Sequence, residues 1–523
     1  MKIALVQPPG LLEADSYTFL PPLPLAVGYL AAYARRAGHE VEVIDAAGSG
    51  LSRVDPWPKR PGHLLRGLSL PEVVARVPAD AEVIGVSSMF THSWPMVREL
   101  TRMLRSAFPR ALLVLGGENA TALPELVLRE TGADLCVLGE GEATFGEILE
   151  RAAAGAGYAD LPGTARLDAD GRFIQAPPRE RIGDLDALPW PAWDLLEPEN
   201  YLSAKMFMGP GDATRSLPIL ATRGCPFRCT FCAAERAWTP VWKARTPALV
   251  VDEIEHYVRT YGANDFQFQD MTLILRRDWI DAFCRELLRR GLRVTWSLPL
   301  GTRSEAIDAD VARLLKAAGC HHITYAPESG SEDILAAVDK RVDLERLAES
   351  ARVSLEAGLI VNLFQVIGLP QETAADIRKT FAWIRRMARL GVHELAVSPF
   401  IPLPGTRLFD EVRAASPIVV DDEFCYTLAM TSLFHVKSWN PRLSSRRLMA
   451  LRILCYVQFY LISFLHHPAR LMALLRNFLF GRVETKSDRA LQALWRGGIE
   501  SLTLRGNRVI LDACAETGGS RRS

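Results

Sequence analysis

The stretch TRGCPFRCTFCAAE, residues 222–235, places three cysteines within eight residues. Cys225 and Cys229 are separated by three residues, and Cys229 and Cys232 by two. The stretch follows an apolar run that is typical of a β-strand, and strand-like and helix-like runs alternate after it. The cysteine spacing allows three interpretations: a zinc site, part of a disulfide framework, or a loop that holds an iron–sulfur cluster with one open coordination position.

The surrounding sequence favours the cluster. A structural zinc site needs four ligands, and the nearest histidine, His256, belongs to a separate helical stretch. Nine cysteines in 523 residues are few and odd in number, which argues against a secreted disulfide scaffold. Cys284, Cys320 and Cys455 lie in apolar runs and are read as small buried hydrophobes. Three thiolates on a tight loop can hold three irons of a [4Fe–4S] cluster and leave the fourth iron open.

Composition limits the partners and the compartment. The chain has 61 Lys and Arg and 61 Asp and Glu, so its formal net charge is zero and we expect no nucleic-acid partner. The N-terminus, MKIALVQPPG, predicts a strand rather than a signal peptide, because its apolar run is short and leads into a turn. Cluster thiols must stay reduced, so we expect a cytoplasmic protein.

The first part of the chain predicts a doubly wound α/β domain over residues 1–155. Strand-like runs that are apolar throughout alternate with amphipathic helical runs, a pattern typical of a parallel sheet. Ligands of such sheets bind beyond the carboxyl ends of the strands. The predicted strands are 2–9, 40–46, 81–90, 111–118 and 133–142.

The middle of the chain predicts a second parallel sheet. Residues 156–215 are rich in Pro, Asp and Gly and are read as a linker with a small hairpin. Residues 216–412 then show six strand–helix units, which predict a partial (β/α)6 barrel with its chemistry at the strand C-terminal ends. The six predicted strands are 218–222, 265–269, 294–298, 322–326, 361–367 and 394–400.

Residues 413–523 predict a helical C-terminal region. Within it, residues 446–482 are apolar and edged with arginine and histidine. A spanning helix needs about 20 consecutive apolar residues, whereas this run is broken by Arg452 and closed by a His-His-Pro sequence at 466–468. Three interpretations stay open: amphipathic helices on a membrane surface, helices that cover the barrel, or simple core helices.

The cysteine loop resembles the signature of the radical S-adenosylmethionine (SAM) enzymes, Cys-x-x-x-Cys-x-aromatic-Cys, with Phe231 in the aromatic place. The resemblance extends over residues 217–409 and implies that the cluster's open iron binds SAM. It implies that Asp270 and Arg303 contact the amino and carboxylate ends of SAM, and that Glu328 and Ser329 suit its ribose. The element at the end of the fifth strand, VIGLPQET at residues 366–373, would pack the adenine. The predicted SAM contacts are Phe231, Asp270, Arg303, Glu328, Ser329, Ile367 and Gly368.

Residues 1–150 resemble the cobalamin-binding domain that is fused to one large class of radical SAM enzymes. The segments that carry the resemblance are PPLPLAVGYLAAYARRAGHEVEVIDA and LGGENATALPELVLRETGADLCVLGEGEATF. The loop after the first strand, QPPGLLEAD, contains no histidine to serve as a lower ligand of cobalt, and Asn119 stands where many relatives have histidine. The predicted cobalamin contacts are Gln7, Pro8, Ser87, Gly116, Gly117, Glu118, Gly139, Glu140 and Gly141.

The combined resemblance implies an enzyme that methylates an unactivated carbon by way of a 5′-deoxyadenosyl radical and methylcobalamin. It assigns no catalytic side chain. The alternative is a radical SAM and cobalamin cyclase or oxidoreductase without net methyl transfer, and a third interpretation is a non-catalytic cobalamin or cluster sensor. We expect a small-molecule or lipid-like substrate, an electron donor such as flavodoxin or ferredoxin, and peripheral contact of the C-terminal helices with the inner face of a membrane.

Overall fold

The computed structural model describes residues 1–14, 21–203, 215–429, 436–482, 485, 487–488, 491–492 and 495. The predicted linker and C-terminal region therefore lie partly outside the described residues. The strands of the described chain are β1 Lys2–Gln7, β2 Gly10–Glu13, β3 Glu40–Asp45, β4 Val54–Pro56, β5 His63–Arg66, β6 Val83–Ser87, β7 Leu112–Gly116, β8 Leu135–Val137, β9 Thr164–Leu167, β10 Phe173–Gln175, β11 Ser216–Ile219, β12 Thr222–Arg223, β13 Lys243–Ala244, β14 Asp265–Phe268, β15 Thr295–Thr302, β16 Cys320–Glu328, β17 Ile360–Ile367 and β18 Glu394–Pro399.

Helices alternate with these strands through most of the chain. The helices are α1 Leu25–Arg36, α2 Leu70–Arg76, α3 Trp94–Ala107, α4 Glu118–Ala122, α5 Pro124–Thr131, α6 Glu142–Ala153, α7 Pro198–Leu202, α8 Ala234–Trp238, α9 Pro247–Tyr261, α10 Arg277–Arg290, α11 Ala309–Ala317, α12 Glu332–Ala337, α13 Leu344–Glu356, α14 Ala374–Leu390, α15 Arg407–Ala415, α16 Asp422–Tyr426, α17 Ser445–His466 and α18 Pro468–Leu479.

The first sheet has the strand order β10-β9-β8-β7-β6-β1-β3. Strands β3, β1, β6, β7 and β8 run parallel, and apolar residues cover both faces of the central strands, which are buried between helices. The predicted doubly wound α/β fold is confirmed. The hairpin predicted in the linker forms as β9–β10, but it joins β8 in antiparallel pairing and so extends this sheet.

The second sheet has the order β11-β14-β15-β16-β17-β18, and all five of its pairings are parallel. Because β11 and β18 are its two edges, the barrel is open, as predicted. The first predicted strand, 218–222, is divided into β11 and β12. The carboxylate of Asp270 accepts hydrogen bonds from the backbone N–H groups of Ala221 and Thr222, so these two residues do not continue the pairing of β11 with β14.

Helix ends in the barrel follow local rules. Thr373 and Asp376 form a capping box at the start of α14, and the Asp343 side chain caps α13. Helices α9 and α10 end at Gly262 and Gly291, which adopt the left-handed conformation that glycine accepts without strain.

Helix α17 lies against α14 and β18 and so covers the open edge of the barrel. Leu448 is buried, the Arg452 Nε donates to the Val397 carbonyl over 2.9 Å, and Tyr456 Oη accepts from the Val397 N–H. In length and composition α17 also qualifies as a candidate membrane span, although 28% of its most apolar window is buried against the protein. The structure therefore shows directly that α17 covers the barrel.

Candidate functional site

The cysteine loop connects β12 to α8 at the carboxyl edge of the second sheet. It begins at Gly224, whose φ of +85° and contact with the Val241 carbonyl admit no side chain, because an added Cβ would lie 2.2 Å from that oxygen. Two distant segments hold its middle, since the Thr230 N–H donates to Val338 and the Thr230 carbonyl accepts from Leu408. These contacts position the loop against the residues that follow α12 and begin α15.

The three loop cysteines are free thiols of intermediate exposure. Burial raises the pKa of Cys229 and raises that of Cys232 to about 12, so a bound metal must supply the charge that ionises them. Among the described residues, no three His, Cys, Asp or Glu side chains converge on one metal ion. A zinc ion needs such convergence, whereas a [4Fe–4S] cluster takes each thiolate on a different iron. The donor set fits the cluster.

Asp270, predicted to contact SAM, lies under the loop instead. Its buried carboxylate accepts from the backbone N–H groups of Ala221 and Thr222, and from the Thr222 hydroxyl over 2.6 Å. Burial raises its pKa to about 7 despite these hydrogen bonds. Protein donors occupy the carboxylate, so Asp270 supports the strand that leads to the cysteines, and its contact with SAM stays a prediction.

Glu328 ends β16 with a φ of +71°, a strained conformation for a residue with a side chain. Its Oε1 accepts from the Lys340 ammonium over 3.0 Å, and only 13% of each side chain is exposed. Lys340 lies close enough to Cys229 for their charges to interact. No local pattern marked Lys340 as part of the site, because it follows α12 in an ordinary charged segment. The role of Glu328 at the ribose remains a prediction.

Arg303, predicted to bind the SAM carboxylate, lies over the cysteine loop. Its guanidinium carbon is 3.8 Å from the centre of the Phe227 ring, and it pairs with Glu305 and the Arg341 carbonyl. Cation–π contact of this kind stabilises both partners. Arg303 therefore braces the loop between Cys225 and Cys229, and its contact with SAM stays a prediction.

Ser329 and the residues that end the fifth barrel strand pack against neighbouring helices. Ser329 is fully buried and its hydroxyl contacts Thr380 Oγ1 of α14 at 3.2 Å, and its place at the ribose stays a prediction. Ile367 is buried in the barrel core, and a Cβ on Gly368 would lie 2.9 Å from Leu448. The open side of Gly368 is thus filled by α17, while Phe231 packs against a cluster of apolar residues at the strand ends.

The predicted cobalamin residues lie at the carboxyl edge of the first sheet. Gln7 and Pro8 end β1, Ser87 ends β6 and Gly116 ends β7. Gly117 has a φ of +112°, and an added Cβ would lie 2.6 Å from the Ser88 carbonyl. This close approach of two loops requires glycine and leaves the backbone of the edge bare for a large flat ligand.

One buried acceptor at this edge has no protein partner among the described residues. Asn119 donates through Nδ2 to Ser88 Oγ over 3.0 Å, while its Oδ1 is buried and unpaired. An unpaired buried carbonyl is costly, so a ligand that donates a hydrogen bond would stabilise it. The amide side chains of cobalamin are such donors. Next to it, burial raises the pKa of Glu118 to about 6. The edge fits the predicted cofactor.

Glu140, also predicted to contact cobalamin, forms part of a buried ion-pair network. Arg223 binds Glu140 over 3.2 Å and Glu142 over 2.6 Å, and Arg181 binds Glu140 over 3.3 Å. Arg223 directly precedes the cysteine loop, so the network joins the two sheets. Protein donors occupy the carboxylate of Glu140, and its contact with cobalamin stays a prediction. Gly141 caps the first turn of α6.

The two carboxyl edges meet at α8, the short helix after the cysteines. A Cβ on Gly139 would lie 3.3 Å from the Ala237 carbonyl of α8. A Cβ on Gly405, in the loop after β18, would lie 3.0 Å from Ala122 of α4 and 3.2 Å from Arg236. The cluster loop and the predicted cobalamin edge are therefore neighbours.

Family models match both parts of the chain. The model described as the Radical SAM superfamily matches residues 219–384, and the model described as the B12 binding domain matches residues 16–149. These ranges contain the cysteine loop and most of the first sheet.

Two curated relatives are similar over most of the chain. Cytidylyl-2-hydroxyethylphosphonate methyltransferase of Streptomyces wedmorensis is 28% identical, over 72% of this chain and 76% of its own. Anaerobic magnesium-protoporphyrin IX monomethyl ester cyclase of Cereibacter sphaeroides is 29% identical, over 75% of this chain and 60% of its own.

A solved structure supports the fold. The radical SAM methyltransferase TsrM of Kitasatospora setae superposes with a TM-score of 0.62 at 21% identity, over 79% of this chain and 76% of its own. The likeness concerns the fold alone. The two family models, together with the fit of the cysteine loop and the first-sheet edge, identify the chain as a radical SAM enzyme that carries a B12-binding domain, with a [4Fe–4S] cluster, SAM and cobalamin as cofactors.

Proposed function

We propose that this enzyme methylates an unactivated carbon of a small-molecule substrate. When bound, the cluster and SAM supply a 5′-deoxyadenosyl radical that removes a substrate hydrogen, and cobalamin supplies a methyl group that itself derives from SAM. The observation that carries the proposal is the contact of the two carboxyl edges at α8, through Gly139, Ala237 and Gly405. Methyl transfer to a short-lived substrate radical needs the two cofactors close together.

In this proposal the protein's own residues hold and separate the two cofactors. Cys225, Cys229 and Cys232 would bind three irons. Arg303 would keep the loop in place through Phe227, since its guanidinium covers that ring. Lys340 would orient the Glu328 carboxylate toward SAM through their 3.0 Å ion pair.

On the other side of the site, the segment Gln7-Pro8-Pro9-Gly10 runs from the end of β1 to the start of β2, and it has no side chain that is a good ligand for cobalt. This segment would therefore hold cobalamin through its backbone and without a histidine, and the bound cofactor would supply the methyl group. Asn119 Oδ1 would accept a hydrogen bond from the cofactor's amide groups.

A second candidate function is cyclisation or oxidation without net methyl transfer. It is favoured by the similarity to the Cereibacter cyclase, whose name states such a reaction. Both candidates need the same cofactors and the same electron supply, which we propose comes from a flavodoxin or ferredoxin. We also propose a cytoplasmic location, because the cluster thiols need a reducing compartment.

Product analysis separates the candidates. The full chain would be reconstituted anaerobically with iron, sulfide and hydroxocobalamin, then incubated with a low-potential reductant, methyl-labelled SAM and an extract of small molecules and lipids. Methyl transfer predicts S-adenosylhomocysteine and 5′-deoxyadenosine together, with label in a new product. Deoxyadenosine with neither S-adenosylhomocysteine nor label would favour the second candidate.

The Cys229→Ala variant tests the role of the loop, and Cys284→Ala is its matched control, because Cys284 is buried in the barrel core, far along the chain from the loop. We expect Cys229→Ala to lose iron and to form no deoxyadenosine, while Cys284→Ala retains both. A wild-type protein that binds its cofactors and never cleaves SAM would contradict the proposal and would favour a sensor.

A further inference from the structure

Helix α17 exposes a row of large apolar residues on its side away from the barrel. Its side toward the barrel buries Arg452 and Ser463, which are 5% and 2% exposed, together with Leu448, Cys455 and Phe459. Its outer side carries large aliphatic residues at helical spacing, and the most exposed of them, Leu465, is 69% exposed. A surface helix of a soluble protein usually places polar residues on its solvent side. The outward residues of α17 are Ile453, Leu454, Val457, Leu461 and Leu465.

The buried polar groups fix this orientation. Arg452 donates through Nε to the Val397 carbonyl of β18, and Arg470 of α18 donates to the Val392 carbonyl and to Ser463 Oγ. Charge-assisted hydrogen bonds inside the protein are lost if the helix rotates. The apolar side of α17 must therefore face outward.

Helix α18 continues the apolar surface. The outward residues of the pair lie within residues 453–480, and they make up ten of the twenty large hydrophobic side chains that are exposed in the described chain. A concentration of this kind marks an interaction surface rather than ordinary scatter. The α18 residues that contribute are Leu471, Met472, Leu475, Leu479 and, directly after the helix, Phe480. We call these ten residues the outer apolar face.

The surrounding charge has one sign. Residues 424–483 contain no Asp or Glu and eight Lys or Arg, so this segment has a formal charge of +8. Because the whole chain is neutral, the other residues together carry −8. Five of the eight basic side chains are exposed around the outer apolar face. These exposed residues are Arg442, Arg446, Arg447, Arg476 and Arg482.

Charge decides between the partners that such a face can have. A second copy would bring two basic rims together, which repel. The chain after residue 482 has seven Lys or Arg and five Asp or Glu, so it offers no opposite charge. Its described residues contact α18 elsewhere, with Asp488 at Asn477 and Trp495 at Phe478. An anionic lipid surface matches both the apolar face and the basic rim.

We propose that α17 and α18 lie in the plane of an anionic bilayer, with the outer apolar face among the acyl chains and the rim arginines at the phosphates. This goes beyond the proposed methyl transfer and does not depend on it. The helices do not cross the bilayer, because Arg452 and Arg470 attach them to the barrel. Leu448, at the start of α17, packs on Gly368, so the bilayer lies one helix away from the predicted SAM end of the barrel.

Vesicle flotation tests the proposal with the full chain, and no cofactor turnover is required. We expect the wild-type protein to float with vesicles of phosphatidylcholine and phosphatidylglycerol, to bind pure phosphatidylcholine at least about tenfold less, and to be partly released by high salt. Failure of the wild-type protein to float with anionic vesicles would overturn the proposal. SAM cleavage, measured separately on the same protein, reports on the proposed function alone.

Matched variants locate the contact. Leu461→Glu with Leu465→Glu should reduce flotation at least about tenfold, whereas Leu288→Glu with Val419→Glu, at exposed positions elsewhere, should not. Arg446→Glu with Arg447→Glu should also reduce it, and Arg172→Glu with Arg313→Glu should not. Equal thermal melting of the variants and the wild type shows that all of them fold. Flotation of the Leu461/Leu465 variant at the wild-type level, or a wild-type dimer that this variant dissociates, would overturn the proposal.

Discussion

Lys340 gives the Glu328 carboxylate a partner beside the cysteine loop. We predict that Lys340→Met lowers the rate of deoxyadenosine formation by about tenfold, because Glu328 would lose the group that orients it. Iron content should stay near the wild-type value, since the three thiols are unchanged. The rate would be measured with saturating reductant, and iron by chelation.

Two further variants test whether Lys340 acts through its positive charge. Lys340→Arg keeps a positive donor and should recover part of the rate. Lys379→Met removes an exposed lysine that pairs with Asp333, and it should leave the rate unchanged. Loss of iron in Lys340→Met would show instead that the lysine supports the loop.

The raised pKa of Asp270 should make the free energy of unfolding depend on pH. Burial raises its pKa to about 7, so the folded chain holds this proton between about pH 4 and pH 7, where the unfolded chain has released it. Its contribution to the free energy of unfolding is therefore present at low pH and is lost as pH rises through about 7. Asp270→Asn has no such proton. The wild-type minus variant difference should fall by roughly 2 kcal/mol between about pH 5 and pH 7.5.

Urea unfolding of the two proteins at both pH values measures that difference. The pH-dependent contributions of the other titratable groups are nearly the same in the two proteins and so cancel. A difference that does not change with pH would mean that Asp270 is ionised in the folded chain throughout. The loop hydrogen bonds would then outweigh its burial.

At the scale of elements, the sequence predicted the strands because parallel strands buried on both faces read as continuous apolar runs. It did not predict which polar residues turn inward, since their partners come from distant segments. Ser329 contacts α14, Glu140 contacts Arg223, and Asp270 divides the first barrel strand. The spacing of the cysteines alone predicted the cluster loop. It did not predict the residues that support the loop, which are Val338, Leu408 and Lys340.

The packing of α17 on the barrel gives an element-scale prediction. Leu448 is 1% exposed and fills the space beside Gly368, so Leu448→Ala should lower the free energy of unfolding by about 2–4 kcal/mol. Leu461→Ala makes the same chemical change on the outer side of α17 and should cost less than about 0.5 kcal/mol. Urea unfolding measures both. Equal effects would mean that Leu448 does not pack beside Gly368 in solution.

At the scale of the whole molecule, Arg223 joins the two sheets. Its side chain is 5% exposed and binds both Glu140 and Glu142. Arg223→Met would leave two buried carboxylates without this partner, and should cost about 3–5 kcal/mol. We expect calorimetry to show the transition of the first domain separating from that of the barrel.

Arg215→Met is the matched control. Arg215 pairs with Glu199, whose side chain is 67% exposed, so its loss should cost less than about 1 kcal/mol. A single unchanged transition in Arg223→Met would show that apolar contacts alone couple the domains.

The loop after β17 has a consequence for biosynthesis. Asn440 Nδ2 donates to the carbonyls of Leu369 and Glu372 over 2.6 and 2.9 Å, and Leu448 fills the space at Gly368. This rim of the barrel is therefore completed by residues that are synthesised about seventy positions after it. A nascent chain on the ribosome exposes the cysteines long before the rim closes, so iron delivery must either wait for release or protect an unfinished pocket from oxygen.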